Sequence, residues 1–330
     1  MQWNERIGRR LKLRDLHILL AVAQRGSMAR AASELAMSQP AVSKAIADIE
    51  RELGIRLLDR TPRGIEPTMY GRALIKRGLA IFDELRQGVH ELDFLANPSM
   101  GELRIGSSEG MAAGLLPAII GRILKKHPHI VFNVTQAVFA STQYRDLRER
   151  SVDLLLGRVF SPFDEEDLAV EALFEDQVVV VAAKGSPLTR KRQLSLTDLH
   201  EERWVLHPPD TPAGHLAAEL FHTAGVKVPH APVLTLSIHL GLKLAETGQF
   251  VALLPSSVLR FAANESALAV LPIRLPVQPR TVGIITLKNR TLSPVAELFI
   301  KYAREMVRPR VPTKTNLRAD RHDGTGKVPL

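Results

Sequence analysis

The chain has 330 residues, ordinary hydrophobic content, no cysteine and a formal net charge of +9. That length predicts two or three domains with a sizeable buried core, and the missing cysteines exclude a disulfide framework and a thiolate metal site. The basic balance points to a polyanionic partner, while no apolar run reaches the ~18 residues that span a bilayer and the basic first residues lack a signal-peptide core, so a cytoplasmic protein with no membrane partner is expected. The first predicted helix carries Leu13, Leu16, Leu19, Leu20 and Ala23 and stops at Gly26. Ser27 caps a second helix over Met28–Ala36, in which Ala31 and Ala32 let a neighbouring backbone approach closely. After the short turn Met37-Ser38, Ser38 caps a third helix with Pro40 in its first turn, where a missing N–H costs nothing. Val42, Ile46, Ile49 and Leu53 form one apolar stripe. Gln39, Ser43, Lys44 and Ala47 fall off it and make a narrow face of small or hydrogen-bonding side chains with one cation. Such a face suits a DNA major groove; taken alone, the helix also reads as an ordinary amphipathic helix ended by Gly54.

Leu57 and Leu58 predict a strand, Thr61-Pro62-Arg63-Gly64 a turn, and Ile65–Pro67 a return strand. The pattern is a winged helix–turn–helix. Arg60 and Arg63 sit at its wing, where cations reach phosphates or the minor groove; Arg60 has the alternative of pairing with Glu50 or Asp59. Thr68 then caps a helix running to Ala96, about 43 Å at ~1.5 Å per residue. Ile75, Gly78, Phe82, Leu85, Val89, Leu92 and Ala96 recur three and four apart as a heptad seam, and Ile75, Phe82, Leu85, Val89 and Leu92 are the expected dimerisation residues; packing within one chain is the other reading. Asn97-Pro98-Ser99 ends the helix as a hinge. From Glu102 strands and helices alternate: Leu103–Gly106, helix Met111–Lys126, Ile130–Thr135, helix Ser141–Arg150, Val152–Leu156. This order predicts a parallel sheet. A second set covers Val178–Ala183, Trp204–Leu206, helices Pro212–Ala224 and Ile238–Glu246, Val251–Leu254 and Leu268–Leu271, and Val282–Leu287 with helix Pro294–Met306 closes the fold.

The run Ser27-x-x-x-Ala31-Ala32-x-x-Leu35-x-x-Ser38-Gln39-Pro40-Ala41-Val42-Ser43-x-x-Ile46-x-x-Ile49-Glu50-x-x-Leu53-Gly54-x-x-Leu57-Leu58-x-Arg60 resembles the N-terminal signature of LysR-type transcriptional regulators. Leu58 departs from the family's usual phenylalanine, at a core position. The resemblance implies an α+β winged helix–turn–helix DNA-binding domain, a long linker helix and an α/β two-lobed effector domain like those of periplasmic solute-binding proteins. The corresponding boundaries are 1–67 for the reading head, 68–96 for the linker and dimerisation helix, 97–101 for the hinge and 102–308 for the effector domain. Lobe I covers about 102–166 and 280–308, lobe II about 175–273, with crossings near Asp167–Glu175 and Arg274–Pro279; residues 309–330 form a disordered basic tail. The implied partners are double-stranded promoter DNA, a small-molecule effector, further copies in a homodimer or homotetramer, and RNA polymerase.

Carried over by position, Gln39, Pro40, Ser43 and Lys44 fall on recognition-helix contacts and Arg60 and Arg63 on the wing, with Ser27 and Ser38 at the caps beside them. Ligands of open parallel sheets sit beyond the carboxyl ends of the strands. That places Ser107, Ser108, Ser141, Thr142, Arg158, His207, Ser237 and His239 around an effector, and these groups suit an anionic or sugar-like one. Each serine has a helix-cap reading and each histidine a surface reading beside it. Gly106-Ser107-Ser108-Glu109-Gly110 also fits the G-x-S-x-G nucleophile elbow, but on the first strand of the body it comes too early for the hydrolase order. No enzyme activity, cofactor or metal is expected, since His127 and His129 have no further ligand cluster. A second class of function is a constitutive architectural DNA-binding protein with a vestigial body.

Overall fold

The computed structural model describes residues 11–62, 64–136, 144–159, 163–261 and 267–308. Helices α1 (Leu13–Arg25), α2 (Met28–Glu34) and α3 (Gln39–Leu53) open the chain. Their shared core holds Leu16, Leu19, Val22, Ala31, Val42, Ile46 and Ile49. Gly26 and Gly54 end α1 and α3 in the left-handed conformation, and Ser27 and Ser38 cap the starts of α2 and α3. Strands β1 (Leu58–Thr61) and β2 (Gly64–Pro67) pair antiparallel as the wing, with Thr61 opposite Gly64. The wing is docked: the Ile65 N–H donates to the Gly26 carbonyl at 2.8 Å, and a Cβ on Gly64 would lie 2.6 Å from that oxygen.

Helix α4 (Met69–Ala96) leaves this domain, capped by Thr68. It divides its surface three ways. Leu74, Ile75 and Phe82 pack into the core of the reading head, and Gly78 lies against Leu16. The expected seam therefore splits: Ile75 and Phe82 are occupied within their own chain, because the helix's first half is needed to close the small three-helix core. Ile81, Leu85, Val89, Leu92 and Leu95 stay exposed, between 42% and 70%. A third face turns to the body, where Asp83 and Gln87 are buried and Phe94 packs against its first core.

Strands β3 (Met100–Ser107), β4 (His129–Gln136), β5 (Leu154–Arg158), β6 (Leu168–Asp176) and β12 (Arg280–Leu287) form a sheet of order β4-β3-β5-β12-β6. β3 pairs parallel with β4 and β5, and β12 antiparallel with β5 and β6. Helices α5 (Glu109–Ala113), α6 (Leu115–Leu124) and α7 (Arg145–Arg148) accompany this sheet, and α11 (Pro294–Val307) returns to it through Phe299 and Ala303. The second sheet has order β11-β7-β10-β8-β9, from β7 (Val178–Ala183), β8 (Trp204–Leu206), β9 (Val233–Leu234), β10 (Val251–Pro255) and β11 (Leu268–Val270). Its helices are α8 (Pro212–Thr223), α9 (Ile238–Glu246) and α10 (Ser256–Arg260), and Trp204 packs edge-on to Phe221 in its core.

Three expectations change. The single helix over Met111–Lys126 is broken at Gly114, where a Cβ would lie 2.8 Å from the Ser257 carbonyl of the second half. Of the helix over Ser141–Arg150, Arg145–Arg148 is helical and 141–143 lie outside the described residues. The stretch Asp167–Glu175 is not a crossing between lobes: residues 168–176 are a strand of the first sheet, because β12 offers it a full antiparallel edge. The chain crosses just beyond, at Gln177. The tail 309–330 lies outside the described residues.

The body face of α4 is held by charge. The Arg290 guanidinium, 1% exposed, donates through Nε and Nη2 to both oxygens of Asp83 at 2.8 Å. Its Nη2 also reaches Asp153 at 2.6 Å, and Nη1 donates to the carbonyls of Val152 and Asp153. Arg86 and Arg150 also bond Asp83, and Arg104 grips Asp153 through its backbone N–H at 2.8 Å and its Nη2 at 2.9 Å. Burial works against the Asp153 carboxylate, yet the Arg104 hydrogen bonds and the nearby guanidinium charges hold its pKa at about 2. A carboxyl depressed in the fold stabilises it above the unfolded value of ~3.9 and loses that contribution as pH falls through the folded value. The difference in unfolding free energy between the protein and Asp153→Asn is therefore expected to narrow by about 2 kcal/mol between pH 4 and pH 2. Urea titrations at stepped pH read this directly, and a constant difference contradicts it.

Candidate DNA-reading face and effector cleft

On α3 the apolar stripe is fully used: Val42, Ile46 and Ile49 are at most 3% exposed. The opposite side carries Gln39, Pro40 and Lys44 exposed and Ser43 half-buried. Gln39 and Ser43, and Pro40 and Lys44, are each one turn apart, so the four form a compact patch at the helix N-terminus. The Ser38 hydroxyl accepts the Ala41 N–H at 3.3 Å and the Ser27 hydroxyl accepts the Arg30 N–H at 3.5 Å. In both cases the hydroxyl proton remains free to donate outward. At the wing Arg60 is exposed. Glu50 is not its partner, because its Oε1 accepts the N–H groups of Leu57 and Leu58 at 2.7 and 3.1 Å and anchors the first wing strand. Asp59 instead lies 3.9 Å from Arg56. Arg63 lies outside the described residues.

The second candidate site is a cleft of about 290 Å³ between the two sheets. Its floor on the first sheet includes Ser108, Glu109, Gln136, Arg158 and Arg280, and the facing wall includes His207, Thr211, Leu216, Leu236 and Ile238. Two guanidinium groups, one carboxylate and the polar side chains of Ser108, Gln136, His207 and Thr211 share the lining with apolar side chains. Burial pushes the Arg158 guanidinium below its ordinary pKa, Asp176 opposes that, and the Arg280 charge adds to it. Arg158 Nη2 is buried with no hydrogen-bond acceptor among the described residues and stands 3.7 Å from Asp176. Asp176 is taken by other donors: Ser256 Oγ at 2.9 Å, the Ser257 N–H at 3.0 Å and Ser257 Oγ at 2.7 Å. The second half of the body thus holds the carboxylate that faces the cleft arginine, within ion-pair reach but beyond hydrogen-bond distance. The His207 Nδ1 lies 2.8 Å from the Thr235 carbonyl, which can only accept, so that nitrogen carries the proton.

Residues 13–72 match the family model described as bacterial regulatory helix-turn-helix protein, lysR family, and residues 96–308 match the LysR substrate binding domain. The chain belongs to the LysR family of transcriptional regulators. It is 30% identical over 297 residues to the transcriptional dual regulator GltC of Bacillus subtilis, covering 88% of this chain and 96% of that protein. It is 32% identical over 310 residues to the SDS degradation transcriptional activation protein of a Pseudomonas species, covering 86% and 93%. The regulator GbpR of Azospirillum brasilense is 28% identical, with 87% and 84% covered. Among solved structures, the fold is similar to CbnR, a LysR family transcriptional regulator, with TM-score 0.57, 20% identity and 91% and 100% of the two chains covered. A full-length OxyR from Pseudomonas aeruginosa aligns with TM-score 0.61, 20% identity and 89% and 95% coverage. These relatives are regulators rather than enzymes. Among the described residues no helix is long and apolar enough to cross a membrane.

In this LysR-family regulator the eight expected effector residues separate. Ser108, Arg158 and His207 line the cleft. Ser107 does not: its side chain is buried and its Oγ donates to the Ser108 carbonyl at 3.1 Å, because β3 alternates and turns it inward. Ser237 caps α9 by accepting the Leu240 N–H at 3.3 Å. His239 is exposed outside the lining, with its backbone N–H 3.5 Å from Glu109. Ser141 and Thr142 lie outside the described residues. Sequence reasoning missed Arg280, Glu109, Gln136 and Thr211. Arg280 had a readable signal, a cation at the mouth of a strand that then turns wholly apolar at Val282–Ile285.

Proposed function

We propose that this regulator grips promoter DNA as a dimer or a pair of dimers in the cytoplasm, and that an anionic or sugar-like effector in the cleft alters that grip and so the access of RNA polymerase. The observation that carries the reading is the two-faced α3, one side consumed by the core and the other offering Gln39, Pro40, Ser43 and Lys44 to the outside. Gln39 and Ser43 have the donor and acceptor chemistry that reads base edges. Lys44, Arg60, Arg63 and the hydroxyls of Ser27 and Ser38 suit phosphates. The exposed stripe from Ile81 to Leu95 supports the dimer, since a row of apolar side chains at heptad spacing favours a partner helix. Two reading heads related by a two-fold axis then fit a partly symmetric site. The unsatisfied Arg158 Nη2 supports an anionic group on the effector.

Gln39→Ala is expected to cost about 1–3 kcal/mol on the specific site and little on random duplex. Arg60→Ala should weaken both alike and reduce the salt slope by about 1. Mobility-shift titrations at several salt concentrations separate the two, and equal losses on specific and random DNA for Gln39→Ala would refute base reading. Leu85→Glu combined with Leu92→Glu should sediment as a monomer; an unchanged assembly moves the interface elsewhere. In a thermal-shift screen of carboxylates and sugars, an anionic ligand at a hundred times its Kd adds about 2.7 kcal/mol of stability. Arg158→Gln should abolish that gain, and a screen in which only neutral apolar aromatics respond would overturn the effector class.

A further inference from the structure

We propose that the effector of the cleft is a hydroxylated carboxylate: an acid on a small apolar carbon body, whose hydroxyl donates its proton to His207. This rests on the proposed effector response and names the ligand class of that same site. The polar groups of the lining divide by hydrogen-bond role. Arg158 and Arg280 can only donate, and the buried Arg158 Nη2 has no acceptor among the described residues. The lining also holds the opposite need. Because the His207 Nδ1 spends its proton on the Thr235 carbonyl at 2.8 Å, the neutral ring keeps Nε2 as a bare acceptor. Glu109 is a second acceptor, with its Oε1 3.5 Å from the His239 N–H. Thr211 takes no part: its hydroxyl donates to the Pro208 carbonyl at 2.7 Å and accepts the Gly214 N–H at 3.1 Å. Ser108 and Gln136 can each donate or accept, and favour neither side.

A ligand that meets only one of these needs leaves the other unpaired on burial, at a cost in affinity. A plain carboxylate accepts from the guanidinium groups but brings no proton for His207. A neutral sugar brings protons but no charge, and its many hydroxyls would face Met111, Leu216, Leu236 and Ile238. An ammonium acid would set its cation beside two guanidinium groups, with Glu109 the one carboxylate of the lining among the described residues. A hydroxyl supplies the proton without a charge. The cleft of about 290 Å³ holds roughly ten groups of water size at ~30 Å³ each, so the acid is small. His207 is thereby the residue that tells a hydroxy acid from its deoxy counterpart, while the arginines hold the charge common to both.

Matched probes on the full chain test this by calorimetry. Benzoate is compared with meta- and para-hydroxybenzoate, and hexanoate with its terminal hydroxy and amino derivatives. In at least one pair the hydroxylated member is expected to bind about tenfold tighter or more. His207→Leu should erase that preference and leave the deoxy member's affinity unchanged, and His207→Gln, which keeps an acceptor, should retain part of it. Should the variants fail to fold, the imidazole nitrogen resonances of the parent protein decide: the hydroxy acid, and not its deoxy partner, moves one unprotonated Nε2 signal toward the hydrogen-bonded range. Carboxylates that bind through Arg158 with no advantage to a hydroxyl overturn this inference and leave the proposed effector class standing. A preference that survives His207→Leu, or tighter binding of the amino derivative, overturns it too. If no acid of either kind binds, the effector class and this inference fall together.

Discussion

Helix α4 meets the body through a buried ion cluster that simple energetics would not favour. Removing a guanidinium and a carboxylate from water costs several kcal/mol per ion, and an apolar pair of the same shape is often as stable. Here the cost is offset because Arg290 satisfies all its N–H groups, through two carboxylates and two carbonyls. The cluster holds four arginines against two aspartates, and the surplus charge falls on Arg86, Arg104 and Arg150, which retain contact with water. Such a contact contributes orientation more than adhesion.

That constraint explains the odd composition of α4. One helix serves its own head, its own body and the outside, and each surface needs a different chemistry. Toward the head it uses Leu74, Ile75, Phe82 and a glycine that admits Leu16. Toward the body it uses Asp83, Arg86 and, further on, Phe94. The remaining stripe, with Leu85 and Leu92 more than half exposed, has no internal partner among the described residues. Polar residues on the body face keep the two apolar surfaces from merging into one wide band, which would leave their registers ambiguous.

Much of this is legible in the sequence itself. The reading head follows from local rules, namely caps at Ser27, Ser38 and Thr68, left-handed glycines at 26 and 54, and a stripe at helical spacing, all of which act within a few residues. What the sequence hid was long-range. Gly114 breaks a helix because the Ser257 carbonyl needs its space, and Asp83 is bound by an arginine 207 residues away. Ser107 and Ser108 look alike as neighbours at a strand end, yet β3 turns Ser107 into the core while Ser108, just beyond it at the start of α5, opens onto the cleft. The heptad seam divides in its first half for a related reason, since Ile75 and Phe82 pack against the reading head's core. Periodicity says that a face is apolar, but it does not say whether the cover comes from the same chain.

The cleft follows a similar logic of withheld partners. Asp176 stands close enough to Arg158 to attract it, but its oxygens are committed to Ser256 and Ser257 across the crossing. Those bonds keep the two halves of the body joined at the cleft's edge. They also leave Arg158 Nη2 buried with no hydrogen-bond acceptor among the described residues, a condition that costs free energy. The anionic effector proposed above would relieve that cost. The apolar walls at Leu216, Leu236 and Ile238 sharpen the preference, since low polarity around the guanidinium strengthens a charged partner more than a neutral one. Tying Asp176 to the serines of the second half thus does two things with one carboxylate: it joins the two halves at the cleft's edge, and it holds those oxygens beyond hydrogen-bond distance of Arg158 Nη2.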